Sequence, residues 1–228
     1  AQEAGNSSAW HCPVKFSFPH TRNWEKGVNS LFYTTRFMQR KEGLVHVLTG
    51  EGNGKTTSAI GIAVRASGKG MKVAFIQFLK GGLSGELPSM RKLGIEVISG
   101  TKHCPRQPDH EKMLNEKGFV IFCRDCFVIN EKDKPLVAGA FAKAGEFSSS
   151  GNFDLVILDE IFWAMLEKLV AEDQLLQLIE HKHPSCELIL TGRGASPAIE
   201  AASDYVTYVE KKKHPFDRGV LSRAGVDY

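Results

Sequence analysis

Residues 44–57, LVHVLTGEGNGKTT, constrain this chain more than any other stretch. Leu44, Val45, Val47 and Leu48 are a β-prone apolar run. Gly50, Gly52 and Gly54 then free the backbone to curl, and a helix pattern follows. In such a turn the N–H groups point inward and the helix dipole adds partial positive charge, so the loop suits a polyphosphate. Lys55 supplies a full charge, and Thr56 a hydroxyl that can reach a phosphate-bound magnesium ion. Glu51, Asn53 and Thr57 complete the candidate nucleotide contacts. The common spacing is G-x4-G-K-[ST], whereas three residues separate Gly50 from Gly54. The alternative is a chance glycine turn. Strand, glycines, Lys-Thr-Thr and helix in the required order argue against it.

The chain has 228 residues and is 42% hydrophobic, which suits one domain with a full core, or one domain plus a tail. A net charge of +3 is too small to imply nucleic acid or a membrane surface by itself. No apolar run is long enough to span a bilayer. The N-terminus lacks a basic start followed by an apolar stretch, so no signal peptide is expected. Five cysteines are an odd number, and a chain this long needs no disulfide staples, so a cytoplasmic home is expected. Residues 1–37 show neither helical nor strand periodicity. Met38 reads as a natural start or a domain boundary, with residues 1–37 a poorly ordered extension and 38–228 the domain. Glu3 and Glu25 do not suit a targeting peptide.

From Leu44 the chain alternates strand and helix. Helices are expected over residues 58–67, 89–93, 132–147, 161–170, 173–181 and 197–202. Further strands are expected over 73–78, 95–98, 154–158, 187–190 and 205–209. Residues 100–130 read as irregular. The pattern implies a single α/β domain of RecA-like P-loop type, a mostly parallel sheet with helices on both faces. Ligands then gather at the carboxyl ends of the strands.

Asp159 and Glu160 follow the apolar strand DLVIL. A carboxylate there, beside a phosphate loop, completes a nucleotide site: Asp159 for magnesium, Glu160 at the reacting centre. The alternative is an acidic pair favoured at the start of the next helix. Arg193, in TGRG after the fifth strand, either reaches the phosphates or is a surface arginine. The tail KKKHPFDRGVLSRAGVDY is basic, yet Phe216, Val220, Leu221, Val226 and Tyr228 are apolar anchors that should fold it back over the sheet.

From Met38 onward the chain resembles the P-loop type of corrinoid adenosyltransferase. GEGNGKTT looks like that family's shortened phosphate loop. VRASGKG with FIQFLKG, residues 64–81, and DLVILDEI, residues 154–161, match its second element and acidic strand. TGRG with KHPFDRG and AGVDY matches its C-terminal signature. The resemblance implies that Co(I) of a reduced corrinoid attacks the 5′ carbon of ATP and triphosphate leaves, in adenosylcobalamin synthesis or salvage. It implies ATP lying reversed in the loop, so that the 5′ carbon faces the cobalt; cobalt is the nucleophile, so no side-chain nucleophile is needed. Lys55, Glu160 and Arg193 become the catalytic candidates, and Thr56 and Asp159 the Mg²⁺ ligands. Arg65 joins the nucleotide contacts. Gln77, Phe78, Lys80, His214 and Phe216 become corrinoid contacts. A homodimer and an electron donor such as a flavoprotein or ferredoxin are implied as well, with no nucleic-acid or membrane partner.

Two departures stand out. The family usually has a lysine where Asn53 stands. Its better-known members carry a Phe-x-Trp pair after the third strand, which displaces the lower cobalt ligand. Here that region begins SGTKHCPRQPDH and is longer, with Phe119, Phe122 and Phe127 as candidate substitutes. This insertion also holds Cys104, Cys123 and Cys126. With Cys12 they could form a four-cysteine zinc or iron–sulfur site, against the alternative of free or structural thiols. A P-loop kinase and a RecA-like ATPase acting on nucleic acid are the rival functions. The low net charge and the absence of an aromatic-basic stripe count against the second.

Overall fold

The computed structural model describes residues 42–117, 123–220, 223 and 225–227. The extension with Met38 and Cys12 lies outside these residues, as do Phe119, Phe122, Leu221 and Tyr228. Six strands form one sheet: β1 (Val45–Thr49), β2 (Val73–Gln77), β3 (Glu96–Ile98), β4 (Leu155–Asp159), β5 (Glu187–Thr191) and β6 (Tyr205–Tyr208). Their order is β3-β2-β4-β5-β1-β6, and every neighbouring pair is parallel. The helices are α1 (Lys55–Ser67), α2 (Glu86–Lys92), α3 (Gln107–Lys117), α4 (Asp133–Ser149), α5 (Ile161–Leu166), α6 (Glu172–His181) and α7 (Pro197–Ala201).

Successive strand residues point to opposite faces, and both faces are apolar, as a buried parallel sheet requires. Val73, Phe75, Leu155, Ile157 and Ile189 pack with Leu87 and Met90 of α2 and with Ala59, Ala63 and Ala66 of α1. The alanines recur at helical spacing, so α1 presents a narrow, smooth stripe to the sheet. Ala74, Ile76, Val156, Leu158, Leu188 and Leu190 face the other way, onto Val137, Ala140 and Ala144 of α4, Phe162 of α5 and Leu175 of α6. The expected parallel sheet with helices on both faces is what forms. Because all strands run the same way, the turns after β1, β2, β4 and β5 meet at one edge. The glycine-loop strand β1 and the acidic strand β4 are not neighbours; β5 lies between them.

Two expectations are corrected. Residues 100–130 are not wholly irregular, since α3 forms within them. Its one buried residue is His110, so it carries no apolar stripe for a pattern to reveal. The tail does not bury its described anchors either. Phe216 is 67% exposed and Val226 70%, and Val220 also faces solvent. Local turn chemistry shapes that stretch instead: the ring nitrogen of His214 accepts from the Phe216 N–H at 3.2 Å at the head of a 3-10 turn, Pro215–Arg218. Among the described residues no helix is long and apolar enough to cross a membrane.

The insertion after β3 is tied at its base. Lys102 Nζ lies 3.1 Å from Asp133 Oδ2, both side chains being essentially buried. Asp133 Oδ1 accepts from the His103 N–H at 2.6 Å, and Oδ2 from the Asn130 N–H at 2.8 Å. One carboxylate thus gathers both ends of the inserted segment. A buried charge pair is retained only when hydrogen bonds satisfy its remaining groups, as these do.

Candidate active site

The chain turns sharply after β1 because two backbones meet there. A Cβ on Gly50 would lie 2.6 Å from the Val209 carbonyl oxygen, and one on Gly52 2.6 Å from that of Glu210. Gly50 and Gly54 also take φ near +105° and +118°, a region open to glycine. Not every loop N–H faces inward as expected: that of Gly52 donates to the Val209 carbonyl at 2.7 Å. Gly54 ends the turn, and α1 starts directly at Lys55, three residues earlier than its apolar pattern suggests.

Lys55 is 7% exposed, and its Nζ donates to the Gly50 carbonyl at 2.7 Å and to that of Gly52 at 2.9 Å. Burial pushes its ammonium below the usual lysine range, while the Glu160 carboxylate pulls the other way. Thr56 points across to β4 and donates to Asp159 Oδ1 at 2.7 Å. Asp159 is fully buried. Its Oδ1 also accepts from Thr191 Oγ1 at 2.8 Å, and its Oδ2 faces Lys80 Nζ at 3.0 Å and Gln77 Nε2 at 3.3 Å. Burial opposes the charge on Lys80, but Asp159 outweighs it, and the Lys80 pKa is raised.

Glu160 sits one residue further, in the left-handed region at φ 62°. For a residue with a Cβ that conformation costs roughly 1 kcal/mol or more, a strain of the kind that clusters at functional sites. Its N–H is held by Thr191 Oγ1 at 3.0 Å. Burial first, then the neighbouring Asp159 charge, raise its carboxyl above the usual range. A raised folded pKa means this group favours folding below its unfolded pKa and loses that benefit as pH rises through the folded value. Glu160→Gln should therefore raise the melting temperature at neutral pH, with the gain shrinking as pH falls toward the ordinary carboxylate range. Melting curves of both proteins across pH check this, and an equal gain at every pH would exclude the electrostatic cause.

The other expected residues divide. Glu51 pairs with Arg193 at 3.0 Å, bringing Arg193 to the glycine loop, but both side chains are exposed, so the pair itself adds little stability. Asn53 and Thr57 are exposed at the loop and in the first turn of α1. Arg65 lies in the last turn of α1, roughly 15 Å along the axis from Lys55 and out of reach of a loop-bound phosphate. Gln77 and Lys80, expected on the corrinoid, turn to Asp159 instead. Phe78 is fully buried in the core, following Ala74 and Ile76 onto the same face. Phe127 is 60% exposed, Phe216 is exposed, and His214 is half-buried. Thr191 is a site residue missed in the sequence, although it opens the TGRG stretch that was singled out for Arg193.

A glycine turn opening α1, with a hydroxyl and a carboxylate closing on its far side, is the arrangement of a P-loop-like α/β domain. The family model for ATP:corrinoid adenosyltransferase BtuR/CobO/CobP matches residues 41–228, and the chain belongs to that family, which makes it a transferase. The corrinoid adenosyltransferase of Escherichia coli (strain K12) is 29% identical over 191 residues, 83% of this chain and 88% of that one. That of Pseudomonas aeruginosa is 30% identical over 189 residues, 82% and 85% of the two chains. The corrinoid adenosyltransferase CobA of Salmonella typhimurium is 27% identical over 191 residues, 83% and 88% of the two chains.

Proposed function

We propose that this enzyme transfers the 5′-deoxyadenosyl group of ATP to the Co(I) of a reduced corrinoid and releases triphosphate, in adenosylcobalamin synthesis or salvage. The C5′–O bond breaks as the cobalt–carbon bond forms, cobalt supplies the electron pair, and the pair of the broken bond leaves on triphosphate. The supporting observation is the charge at the strand ends. Lys80 faces the Asp159 carboxylate, Lys55 rests on the glycine-loop carbonyls, and Arg193 reaches the same loop through Glu51. That set suits a leaving group gathering negative charge.

The oxygens of Thr56 and Asp159, 2.7 Å apart, are the hard donors that Mg²⁺ takes, and these two residues would hold it. Held by these two residues, Mg²⁺ would supply neutralisation of triphosphate charge. Lys55 exchanges its two loop carbonyls for phosphate oxygens. Gln77 and Thr191 keep Asp159 oriented. Glu160 stands at the reacting end. Phe127 of the insertion and His214 and Phe216 of the tail retain surface for the corrinoid, and Phe119 and Phe122 belong to the inserted segment of Phe127. A separate flavoprotein or ferredoxin supplies the electron that makes Co(I), and the enzyme works in the cytoplasm as a homodimer.

The phosphate product tests this reading. With chemically reduced corrinoid and ATP, triphosphate should appear in step with a light-sensitive organocobalt product. ADP with a phosphorylated acceptor would instead mean a kinase, and ADP with free phosphate an ATPase.

A further inference from the structure

Among its described residues the insertion after β3 shows no core of its own: Cys104 is their one member among the buried apolar residues, and α3 buries one residue, His110. Beyond the Asp133 clamp at the base, the described part of the segment has little apolar burial to hold it. Yet four of its side chains converge. The ligand atoms of Cys104, His110, Cys123 and Cys126 all lie within 4.8 Å of one another.

The spacing of those atoms has a particular meaning. Cys104 Sγ is 3.5 Å from Cys123 Sγ, Cys123 Sγ is 3.8 Å from Cys126 Sγ, and Cys126 Sγ is 3.7 Å from Cys104 Sγ. His110 Nδ1 is 3.5 Å from Cys126 Sγ. Zinc–sulfur bonds of about 2.3 Å at tetrahedral angles put sulfurs about 3.8 Å apart. A sulfur and an imidazole nitrogen at about 2.0–2.1 Å from the same ion stand about 3.5 Å apart. These four distances match edges of that tetrahedron, and the two remaining pairs lie within 4.8 Å. They are far too long for a disulfide, whose sulfurs are about 2.05 Å apart. They are too short for an iron–sulfur cluster, whose bridging sulfides spread the cysteines over several metals. Three thiols and a histidine are also a recurrent structural zinc set, with C-x2-C supplying two neighbouring ligands.

We propose that Cys104, His110, Cys123 and Cys126 bind a single Zn²⁺ ion that staples the inserted segment. Four protein ligands fill the tetrahedron and leave no open position, so the ion is structural. It closes the loop that starts at Cys104, one residue beyond the His103 N–H held by Asp133. The metal does for this segment what a core does elsewhere. The set differs from the four-cysteine candidate in the sequence: His110, hidden on a polar helix, stands in the place given to Cys12.

The test uses the full chain, free of any metal-binding tag and kept reduced. It should purify with stoichiometric zinc, and Cys123→Ser and Cys126→Ser should each carry roughly tenfold less or worse. His110→Cys should keep the zinc, since a four-cysteine site is equally good. Withdrawing zinc should open residues 105–130 to protease while the melting of the sheet changes little. Where a serine variant folds poorly, Co²⁺ added to the metal-stripped, corrinoid-free chain gives the answer. A tetrahedral spectrum with sulfur-to-metal charge transfer supports the site, and a pale octahedral spectrum overturns it. The proposal also fails if the reduced protein refuses supplied Zn²⁺, or if it carries iron with inorganic sulfide.

Discussion

Replacing Lys55 with alanine should leave a folded protein that has lost most of its hold on ATP. The ammonium is nearly buried and rests on the carbonyls of Gly50 and Gly52, which suits a group waiting for better acceptors. A charge-assisted contact to phosphate is worth ~1.5–3 kcal/mol, so kcat/KM should fall by roughly 10- to 150-fold. More than one phosphate oxygen would deepen the loss. Gly50 is half-buried and Glu51 and Asn53 are exposed, so water can follow the lysine out to the freed carbonyls, and the melting temperature should change little. Turnover, ATP affinity and a melting curve on one preparation check this. Near-native turnover would show that the loop does not carry the triphosphate.

Asp159 should show the largest effect of all, on stability and activity together. It is fully buried and accepts from Thr56, Thr191, Gln77 and Lys80. Asp159→Ala strands the Lys80 charge and three neutral donors, and breaking a buried pair of this kind costs about 3–5 kcal/mol. At a fall of about 2–4 °C per kcal/mol for a chain this long, melting should drop by roughly 6–20 °C. Turnover should fall by roughly a thousandfold, since both the proposed magnesium ligand and the orienting network go. Pairing Asp159→Asn with Lys80→Met separates the two roles. Removing the unpaired charge should return much of the stability and none of the activity. Recovery of both would make Asp159 a purely structural residue.

The fold was legible where burial writes a pattern. The cores of such runs, VAFI and LVIL, are apolar at every position because both faces of a parallel sheet are covered, and they became strands with ends shifted by a residue or two. The alternation also held information that went unused. Ala74, Ile76 and Phe78 share one parity and one face, so Phe78 belongs to the core and Gln77 to the opposite side. Helix α3 was invisible because it buries a histidine and no apolar stripe. Phe216 and Val226 have the character of anchors, but apolar character names no partner, and both face solvent.

Of the candidate site, the glycine loop and Asp159 are marked in the sequence, where backbone strain and burial force residue choice. Thr191 was harder to see, because its role depends on β5 lying between β1 and β4. That order puts its hydroxyl against Asp159 and the Glu160 N–H, and nothing in the local sequence records it. Lys80 likewise meets Asp159 only because β2 pairs with β4. Contacts made by sheet order are absent from the chain read in one dimension.

The central claim is that carbon, not phosphorus, is transferred. ATP labelled at the 5′ carbon of ribose, incubated with the enzyme, Mg²⁺ and chemically reduced corrinoid, tests it directly. The label should move to the corrinoid in a cobalt–carbon bond, with an equal amount of unlabelled triphosphate. Label that stays entirely in ADP or AMP while the γ-phosphate moves would contradict the account.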